Sequence, residues 1–273
     1  MRGVGCHAGT GSATHAGSVG GVLREMAEYP NSFEPPAPGA ERIETDRYTL
    51  CMGAGLDWNT VQRQRFAASE VDEVLAEVRG LLRARGRTST QWEIGSTAEP
   101  AGLAELLLER GVEWDSDPFA VALVLRAPPP AAPAGLEARA VATLQEYVEA
   151  VEVQDIAFGT PPEQAAAGRD LLAARFRDRD RVMHAVWLDG RLVSAGSCAL
   201  TPHGLLLYGG ATHPDARGRG AYRALIAARW EAAVAHGTPA LLTQGGSMSR
   251  PILERVGFRA VGHVQMLIDR FDG

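Results

Sequence analysis

The chain has 273 residues, enough for about two domains of ordinary size, and its 45% hydrophobic and 22% charged residues are the balance of a globular protein with an ample core. Its 27 basic residues against 33 acidic ones give a net charge of −6. That excess of acid argues against a protein that binds nucleic acid mainly through positive charge. No apolar run approaches the ~20 residues of a membrane span. We therefore expect neither a nucleic-acid nor a membrane partner.

The cysteines give a second exclusion. Cys6, Cys51 and Cys198 lie far apart in the chain and form no CxxC pair. A disulfide framework and a zinc site both need closer or paired cysteines, so neither is supported and no metal is expected. The N-terminal stretch has no apolar segment of the kind that a secretory signal needs. We expect a reduced, cytoplasmic setting.

Two stretches of biased composition divide the chain. Residues 1–21 contain seven glycines and are predicted to be a disordered leader. The stretch RAPPPAAPAG is rich in proline and alanine and predicts an extended linker over residues 126–134. The linker separates a first domain, 22–125, from a second, 135–273.

Hydrophobic periodicity predicts four elements in the first domain and ten in the second. The first domain has a helix, a strand, a helix and a strand at SEVDEVLAEVRGLLRARG, TSTQWEIG, PAGLAELLLERGV and FAVALVL. In the second domain, strands are predicted at GLEARAV, on both sides of Asp189-Gly190 in VMHAVWLDGRLVSAGSCAL, and at LLLYGGAT, PALLTQGG and RAVGHVQMLID. Helices are predicted at LQEYVEAVEVQDIAFG, EQAAAGRDLLAARFRD, AYRALIAARWEAAVAHG and SMSRPILERVGF. This order predicts an α/β fold with a mixed twisted sheet and flanking helices.

The first domain repeats the end of the second in weaker form. Its LLERGV resembles the later LERVGF, and in both places a helix, a strand, a short helix and a strand follow one another. The two domains are therefore expected to be similar lobes that arose by duplication. The long helix of the first domain follows VQRQRFAASEV, which contains no glycine, so that copy is predicted to be degenerate.

The stretch HPDARGRGAYRAL, residues 213–225, joins a predicted strand to a predicted helix through two glycines. Glycine is a poor helix former, but it lets backbone amides approach an anion at a helix N-terminus. Other phosphate-loop and nucleophile motifs fail here. The chain has no GxxxxGK[ST], GRGAYR lacks the third glycine of a dinucleotide fingerprint, and no GxSxG surrounds Ser197 or Ser247.

The loop resembles the [QR]xxGx[GA] signature of GNAT-superfamily N-acetyltransferases, and the neighbouring hairpin, strand, long helix and LERVGF follow that family's order. The resemblance covers about 135–273, and more faintly the first domain. It implies acetyl-CoA as co-substrate, with the pantetheine arm along the backbone of Ala211 and Thr212. The pyrophosphate would lie on backbone amides of Arg217, Gly218, Arg219, Gly220, Ala221 and Tyr222.

The sequence departs from the family pattern at the catalytic positions. Tyr222 stands where the signature has glycine or alanine, and Leu253 stands where many relatives have a tyrosine that acts as the general acid. The strand before the loop carries no carboxylate to serve as base. Tyr208 lies about there, although its ordinary pKa of ~10 makes it a poor base. Glu152 and Asp155, on the first helix of the second domain, are the other candidates. The catalytic residues thus stay unknown.

The resemblance implies transfer of an acetyl group from acetyl-CoA to a primary amine, which we expect to belong to a small molecule. Two alternatives remain open: a non-catalytic module that binds or senses acyl-CoA, and a protein-lysine acetyltransferase. A small-molecule enzyme should have a closed pocket between the lobes, whereas a protein acetyltransferase should have an open acidic groove. The sequence leaves the acceptor, the acyl chain length and the oligomeric state undetermined.

Overall fold

The computed structural model describes residues 19–56 and 58–272. Its first element is an amphipathic helix, α1 (Val19–Glu28), which buries Leu23, Met26 and Ala27. The last three residues of the predicted leader, 19–21, therefore belong to this helix, because its apolar face has a sheet to pack on. The rest of the leader, residues 1–18, and with it Cys6, lies outside the described residues.

The first half of the chain continues with five strands and two helices, and the predicted elements are found where the periodicity places them. Three short strands that the sequence did not predict precede them, at β1–β3. The elements are β1 (Glu41–Glu44), β2 (Thr49–Met52), β3 (Asn59–Gln62), α2 (Val71–Arg83), β4 (Ser89–Gly95), α3 (Leu103–Leu108) and β5 (Glu113–Leu125).

The second half follows the predicted order with one difference. The helix predicted over EQAAAGRDLLAARFRD is broken after Gly168, a poor helix former, into two short helices joined by a 3₁₀ turn. The elements are β6 (Leu136–Ala140), α4 (Leu144–Phe158), α5 (Pro162–Ala167), α6 (Leu172–Phe176), β7 (Arg181–Leu188), β8 (Arg191–Thr201), β9 (Gly204–Thr212), α7 (Ala221–Ala235), β10 (Leu241–Gly245), α8 (Arg250–Val256) and β11 (Arg259–Arg270).

All the strands join one mixed sheet of eleven, in the order β1-β2-β3-β4-β11-β5-β10-β9-β8-β7-β6. Helices cover both faces: α1 and α4 pack on one, and α7 packs on the other. Along β9 the side chains alternate, so that Leu205 and Leu207 face α7 while Leu206 and Tyr208 face α1. The predicted class, a twisted mixed sheet with flanking helices in two similar lobes, is confirmed.

The two halves exchange their closing strands at the centre of the sheet. Strand β5, the last of the first half, pairs with β10 of the second half, and β11, the last of the second half, pairs with β4 of the first. The two exchanged strands also pair with each other. The division at residues 126–134 stays a prediction. Each lobe of the sheet contains a closing strand from the other half of the chain.

Candidate active site

Strands β9 and β10 diverge at the middle of the sheet. Their parallel pairing holds only at Leu205 with Leu241 and at Leu206 with Leu242. Just beyond that point β9 is bulged: its register with β8 shifts, and Gly209 takes a φ of +56°. The result is a gap whose β9 side is the backbone of residues 208–212, bridged near its start by a hydrogen bond of 3.3 Å from Thr243 Oγ1 to the Leu207 carbonyl.

The glycine loop leads from β9 into the N-terminus of α7. Gly218 and Gly220 both take left-handed conformations, with φ of +77° and +84°. In the described part of the chain, the backbone amides of residues 218–222 have no hydrogen-bond acceptor. Such unpartnered amides at the positive end of a helix dipole attract an anion.

The charges around this helix end are favourable to an anion. The first turn of α7 has no acidic residue. Arg219 is exposed, and Arg217 lies across the loop, with its guanidinium 3.4 Å from the carbonyl oxygens of Thr212 and Ala157. The Tyr222 ring turns away from the loop and packs under β9, where a Cβ on Gly210 would come within 3.0 Å of it. The Tyr222 amide is therefore left free at the helix end.

The predicted pantetheine-binding strand lies next to this loop. Ala211 is buried, and its carbonyl accepts a hydrogen bond of 2.7 Å from Ser194 Oγ on β8. Thr212 places its hydroxyl 3.0 Å from the same Ser194 oxygen. The end of β9 is thus fastened to β8, and its other edge faces the gap.

A cavity of about 320 Å³ lies between the two halves of the chain. The first half supplies most of its wall, and the second half supplies three side chains. Those from the second half are Arg175, Arg181 and Tyr208, and those from the first half include Glu34, Arg42, Cys51, Met52 and Trp58. Because Tyr208 directly precedes the bulge in β9, the cavity reaches the start of the strand gap.

Three polar side chains meet at the inner wall of the cavity. Arg181 Nη2 pairs with Glu34 Oε1 at 2.7 Å, and the Arg181 guanidinium lies 5.7 Å from the centre of the Tyr208 ring. Within the described residues, Glu34 Oε2, Arg181 Nε and the Tyr208 hydroxyl are buried without a hydrogen-bond partner. Burial raises the pKa of Glu34 against the opposing effect of Arg181, and burial followed by the nearby Glu34 raises the pKa of Tyr208 well above its usual value.

The three predicted catalytic candidates lie in different surroundings. Tyr208 lines the cavity, whereas Glu152 is exposed on α4 and Asp155 is half-buried there; neither carboxylate lines the cavity. The α4 residue that reaches the gap is Gln154, which donates a hydrogen bond of 2.7 Å to the Gly209 carbonyl. Leu253 is buried in the core beneath α8, so no phenol stands at that position.

Sequence reasoning did not find Glu34, Arg181 or Gln154. Glu34 lies between α1 and β1 in the loop NSFEPPAPGAE, which carries no motif. Arg181 begins a strand, where a charged residue is most often exposed. Only the packing of the two halves brings these side chains together.

A buried cation lies beneath the gap on the α7 face of the sheet. Arg229 is 1% exposed, and its guanidinium lies against Gly196 and Gly210. A Cβ on Gly196 would fall 1.7 Å from it, and a Cβ on Gly210 would fall 3.4 Å from it. It donates to the Tyr208 carbonyl at 3.4 Å, and it faces Cys198 and His184 rather than a carboxylate. Burial, and then the charge of Arg229, lowers the pKa of His184 to about 4.

The corresponding gap in the first half is closed. Strands β3 and β4 pair only at two positions before they diverge. The buried Gln64 side chain then bridges them, donating to the Val61 carbonyl at 2.9 Å and to the Glu93 carbonyl at 3.0 Å. The N-terminus of α2 follows a 3₁₀ turn in which Glu70 accepts the Ala67 amide at 2.7 Å, and Asp72 and Glu73 occupy its first turn.

Among the described residues, no three histidine, cysteine, aspartate or glutamate side chains converge as metal ligands would. No helix in the same part of the chain has the length and apolar character needed to cross a membrane. Cys51 and Cys198 are buried free thiols.

The sequence model of the acetyltransferase (GNAT) domain matches residues 132–246, which include the gap and the glycine loop. A search of curated proteins finds no match. Among solved structures, a GCN5-related N-acetyltransferase from Kribbella flavida is 19% identical, with a TM-score of 0.68 over 93% of this chain and 96% of that one. A tandem GNAT protein from the clavulanic acid biosynthesis pathway is 18% identical, with a TM-score of 0.62 over 93% and 95%. At these identities the two structures share the fold with this chain.

Proposed function

We propose that this chain, whose residues 132–246 match the acetyltransferase (GNAT) domain, moves an acetyl group from acetyl-CoA to a primary amine of a small molecule. The observation that carries the proposal is the meeting of two features at Tyr208. The strand gap with its unpartnered loop amides is on one side, and the cavity between the two halves is on the other.

The donor site is supported by the second half alone. The pyrophosphate of acetyl-CoA would accept hydrogen bonds from the free amides of residues 218–222, where the α7 dipole and the neighbouring arginines favour negative charge. The pantetheine arm would enter the gap along β9, next to Ala211 and Thr212. The thioester would then lie near the bulge at Gly209, where the gap begins.

The acceptor site is supported by the cavity and by its enclosure between the two halves. A cavity of about 320 Å³ falls in the range of small-molecule pockets, and side chains from both halves line it. Its wall combines apolar side chains such as Met52 and Trp58 with a few charged groups. This composition favours a small amine over the lysine side chain of a protein partner.

The reaction needs positioning, a stabilised oxyanion and removal of a proton. Binding donor and acceptor side by side supplies the proximity, which is a major part of the barrier reduction in such transfers. Backbone amides at the end of β9 would stabilise the oxyanion that develops on the thioester carbonyl. A cytoplasmic location, in keeping with the free thiols Cys51 and Cys198, is part of the same proposal.

Calorimetric titration with acetyl-CoA, on the wild type and two glycine variants, tests the donor site. Gly218→Ala adds a methyl group among the free amides, where no neighbour lies within 4 Å, and should weaken acetyl-CoA binding more than about tenfold. Gly237→Ala is the matched control: it lies at the other end of α7 with nearly the same φ, +81°, and the same lack of neighbours. Equal affinities of the two variants would contradict the loop assignment. Gly220 is unsuitable because a Cβ there would fall 2.4 Å from Pro133.

The acceptor is tested by thiol release. Wild-type protein with acetyl-CoA should release free CoA faster when small primary amines are added than in buffer alone. Binding of acetyl-CoA without amine-dependent release would contradict the acceptor part of the proposal. Release with lysine-containing peptides and with no small amine would favour a protein substrate.

A further inference from the structure

We propose that Glu34, which the first half of the chain contributes to the cavity, is the general base that takes the proton from the acceptor amine. The inference rests on the proposed function, because it assigns a residue to that reaction. Two facts carry it: Glu34 lies at the inner wall of the cavity beside Tyr208, and one of its two carboxylate oxygens has no partner.

The surroundings of Glu34 hold its side chain in place, and its second oxygen, Oε2, is buried beside the Tyr208 hydroxyl. Arg181 Nη2 holds Oε1 at 2.7 Å, and the Arg42 side chain donates to the Glu34 main-chain carbonyl. The carboxylate is buried, with 6% of its side chain exposed. A buried carboxylate oxygen without a partner costs free energy, so Oε2 favours a donor, either the Tyr208 hydroxyl beside it or a group of the substrate. The ammonium group of the substrate is a donor that also complements the charge.

The position of Glu34 suits the reaction geometry. Tyr208, which Glu34 faces, stands three positions before Ala211, or about 10 Å along an extended strand and less across a bulge. The gap that would receive the thioester begins between these two residues. No carboxylate lies on β9 itself, so the base would come from across the interface between the two halves.

The acceptor enters as R–NH₃⁺, and Glu34 takes one proton to leave a neutral amine. The nitrogen lone pair forms the C–N bond with the acetyl carbonyl carbon, and the C–S bond breaks to release the CoA thiolate. The second proton lost from nitrogen neutralises that thiolate, and Glu34 returns its own proton to solvent. The products are R–NH–COCH₃, CoA–SH and one proton.

The charges facing Glu34 determine how its titration should appear. Arg181 and Arg42 are cations beside it, and Tyr208 and Cys51 are neutral at ordinary pH because burial raises the pKa of each, that of Cys51 to about 12. The acidic groups around these are Asp178, 3.6 Å from Arg181 Nε, and Glu44, 2.6 Å from Arg42 Nε. The charge of Glu93 also acts on Tyr208 and Cys51. The net effect raises the pKa of Glu34 above its usual range, so activity should fall on the acidic side at a higher pH than an exposed glutamate would give.

The experiment compares Glu34→Gln, Glu34→Asp and Glu25→Gln by steady-state kinetics across pH, with acetyl-CoA affinity measured on each. The acceptor probe is whichever of ethanolamine, histamine, phenethylamine or a free amino acid gives the fastest thiol release with wild type. Glu25→Gln is the control: Glu25 pairs with Arg63 and Arg65 at 3.0 and 3.2 Å in the same part of the chain, away from the cavity.

If Glu34 is the base, Glu34→Gln lowers kcat about 10²- to 10⁴-fold and abolishes the acidic limb of the pH profile, with acetyl-CoA affinity within about twofold of wild type. Glu34→Asp, which keeps a carboxylate beside Arg181, retains an acidic limb and loses less activity, so it decides the matter if the glutamine variant is unstable. Values of kcat and an acidic limb equal to wild type in both variants would overturn the inference and leave the proposed function intact. Failure of wild type itself to bind acetyl-CoA would instead overturn the proposed function.

Discussion

The two strand gaps of this molecule have the same backbone architecture and opposite contents. Between β9 and β10 the strands diverge onto a glycine loop whose amides are free, and the helix that follows has no acid in its first turn. Between β3 and β4 the strands diverge equally early, but Gln64 joins their carbonyls and carboxylates occupy the N-terminus of α2. One gap is therefore suited to an anionic ligand, and the other is occupied by the protein itself.

The fold alone therefore does not determine a donor site. An amide-bearing helix end binds phosphate only if nothing else satisfies the amides and no negative charge opposes it. In the first half Glu70 accepts an amide and Asp72 and Glu73 add negative charge, so the same helix dipole is already compensated. The first half contributes instead the wall of the cavity, with Glu34 as its reactive group.

The largest expected effect concerns the exchange of closing strands that joins the two regions. Asp269 on β11 is fully buried and receives a two-pronged ion pair from Arg79 of α2, at 2.7 and 2.9 Å. Arg79→Ala should leave a buried uncompensated carboxylate and lower the free energy of unfolding by about 3 kcal/mol in urea titrations.

Arg110→Ala is the control for that ion pair. Arg110 makes a similar two-pronged pair, at 2.6 and 3.0 Å, but its partner Asp72 is 77% exposed. Because water screens an exposed pair, Arg110→Ala should lower the free energy of unfolding much less than Arg79→Ala does. Equal losses for the two variants would show that the exchanged strand does not depend on its buried pair.

The next effect tests the closed gap directly. Gln64→Leu should leave the buried Val61 and Glu93 carbonyls without their donor and lower the unfolding free energy by about 2 kcal/mol. Because α2 keeps its acidic first turn, calorimetry should still find one acetyl-CoA per chain in this variant, as in wild type.

Gln91→Leu is the control for Gln64→Leu, because it removes a glutamine side chain from the adjacent strand, β4. Gln91 is half-buried and donates to Asp115 at 2.7 Å, so its loss should cost less than about 1 kcal/mol. Two acetyl-CoA molecules per wild-type chain would contradict the contrast between the gaps.

A third prediction concerns the buried polar groups beneath the open gap, His184 and Arg229. The pKa of His184 is lowered to about 4, below the ~6.5 of an unfolded chain. As pH falls, the His184 imidazole is therefore protonated in the unfolded chain before it is protonated in the folded one. The free energy of unfolding should decrease between about pH 6.5 and 4, by at most about 3 kcal/mol.

His184→Gln should remove this part of the pH dependence when urea unfolding is followed at pH 7 and pH 5. His203→Gln, at an exposed position, should leave the pH dependence as it is in wild type. If the free energy of unfolding has the same pH dependence in all three proteins, the pKa of His184 is not lowered by its burial and by the charge of Arg229.

Local sequence was sufficient for the elements whose signal is continuous. The structure contains, as predicted, the helix α7 with the glycine that ends it and the hairpin at Asp189-Gly190. The strands of the second half also follow one another along the chain as predicted. Each of these features depends on neighbours in the chain. Strands β1–β3 were not predicted, since each is four residues long and pairing supplies most of its stability. The start of α1 within the predicted leader was missed for a similar reason, because contacts with a sheet distant in sequence stabilise the apolar face of this helix.

Sequence by itself determined the fold class, the glycine loop and the family likeness, because those depend on composition, spacing and residue type. Only the tertiary structure decided which groups meet at the cavity. Glu34 and Arg181 are separated by more than half the chain and touch because the first half packs against β7 and β9. It likewise decided that β5 and β11 exchange partners, since strand pairing at the centre of a sheet depends on contacts between segments far apart in sequence.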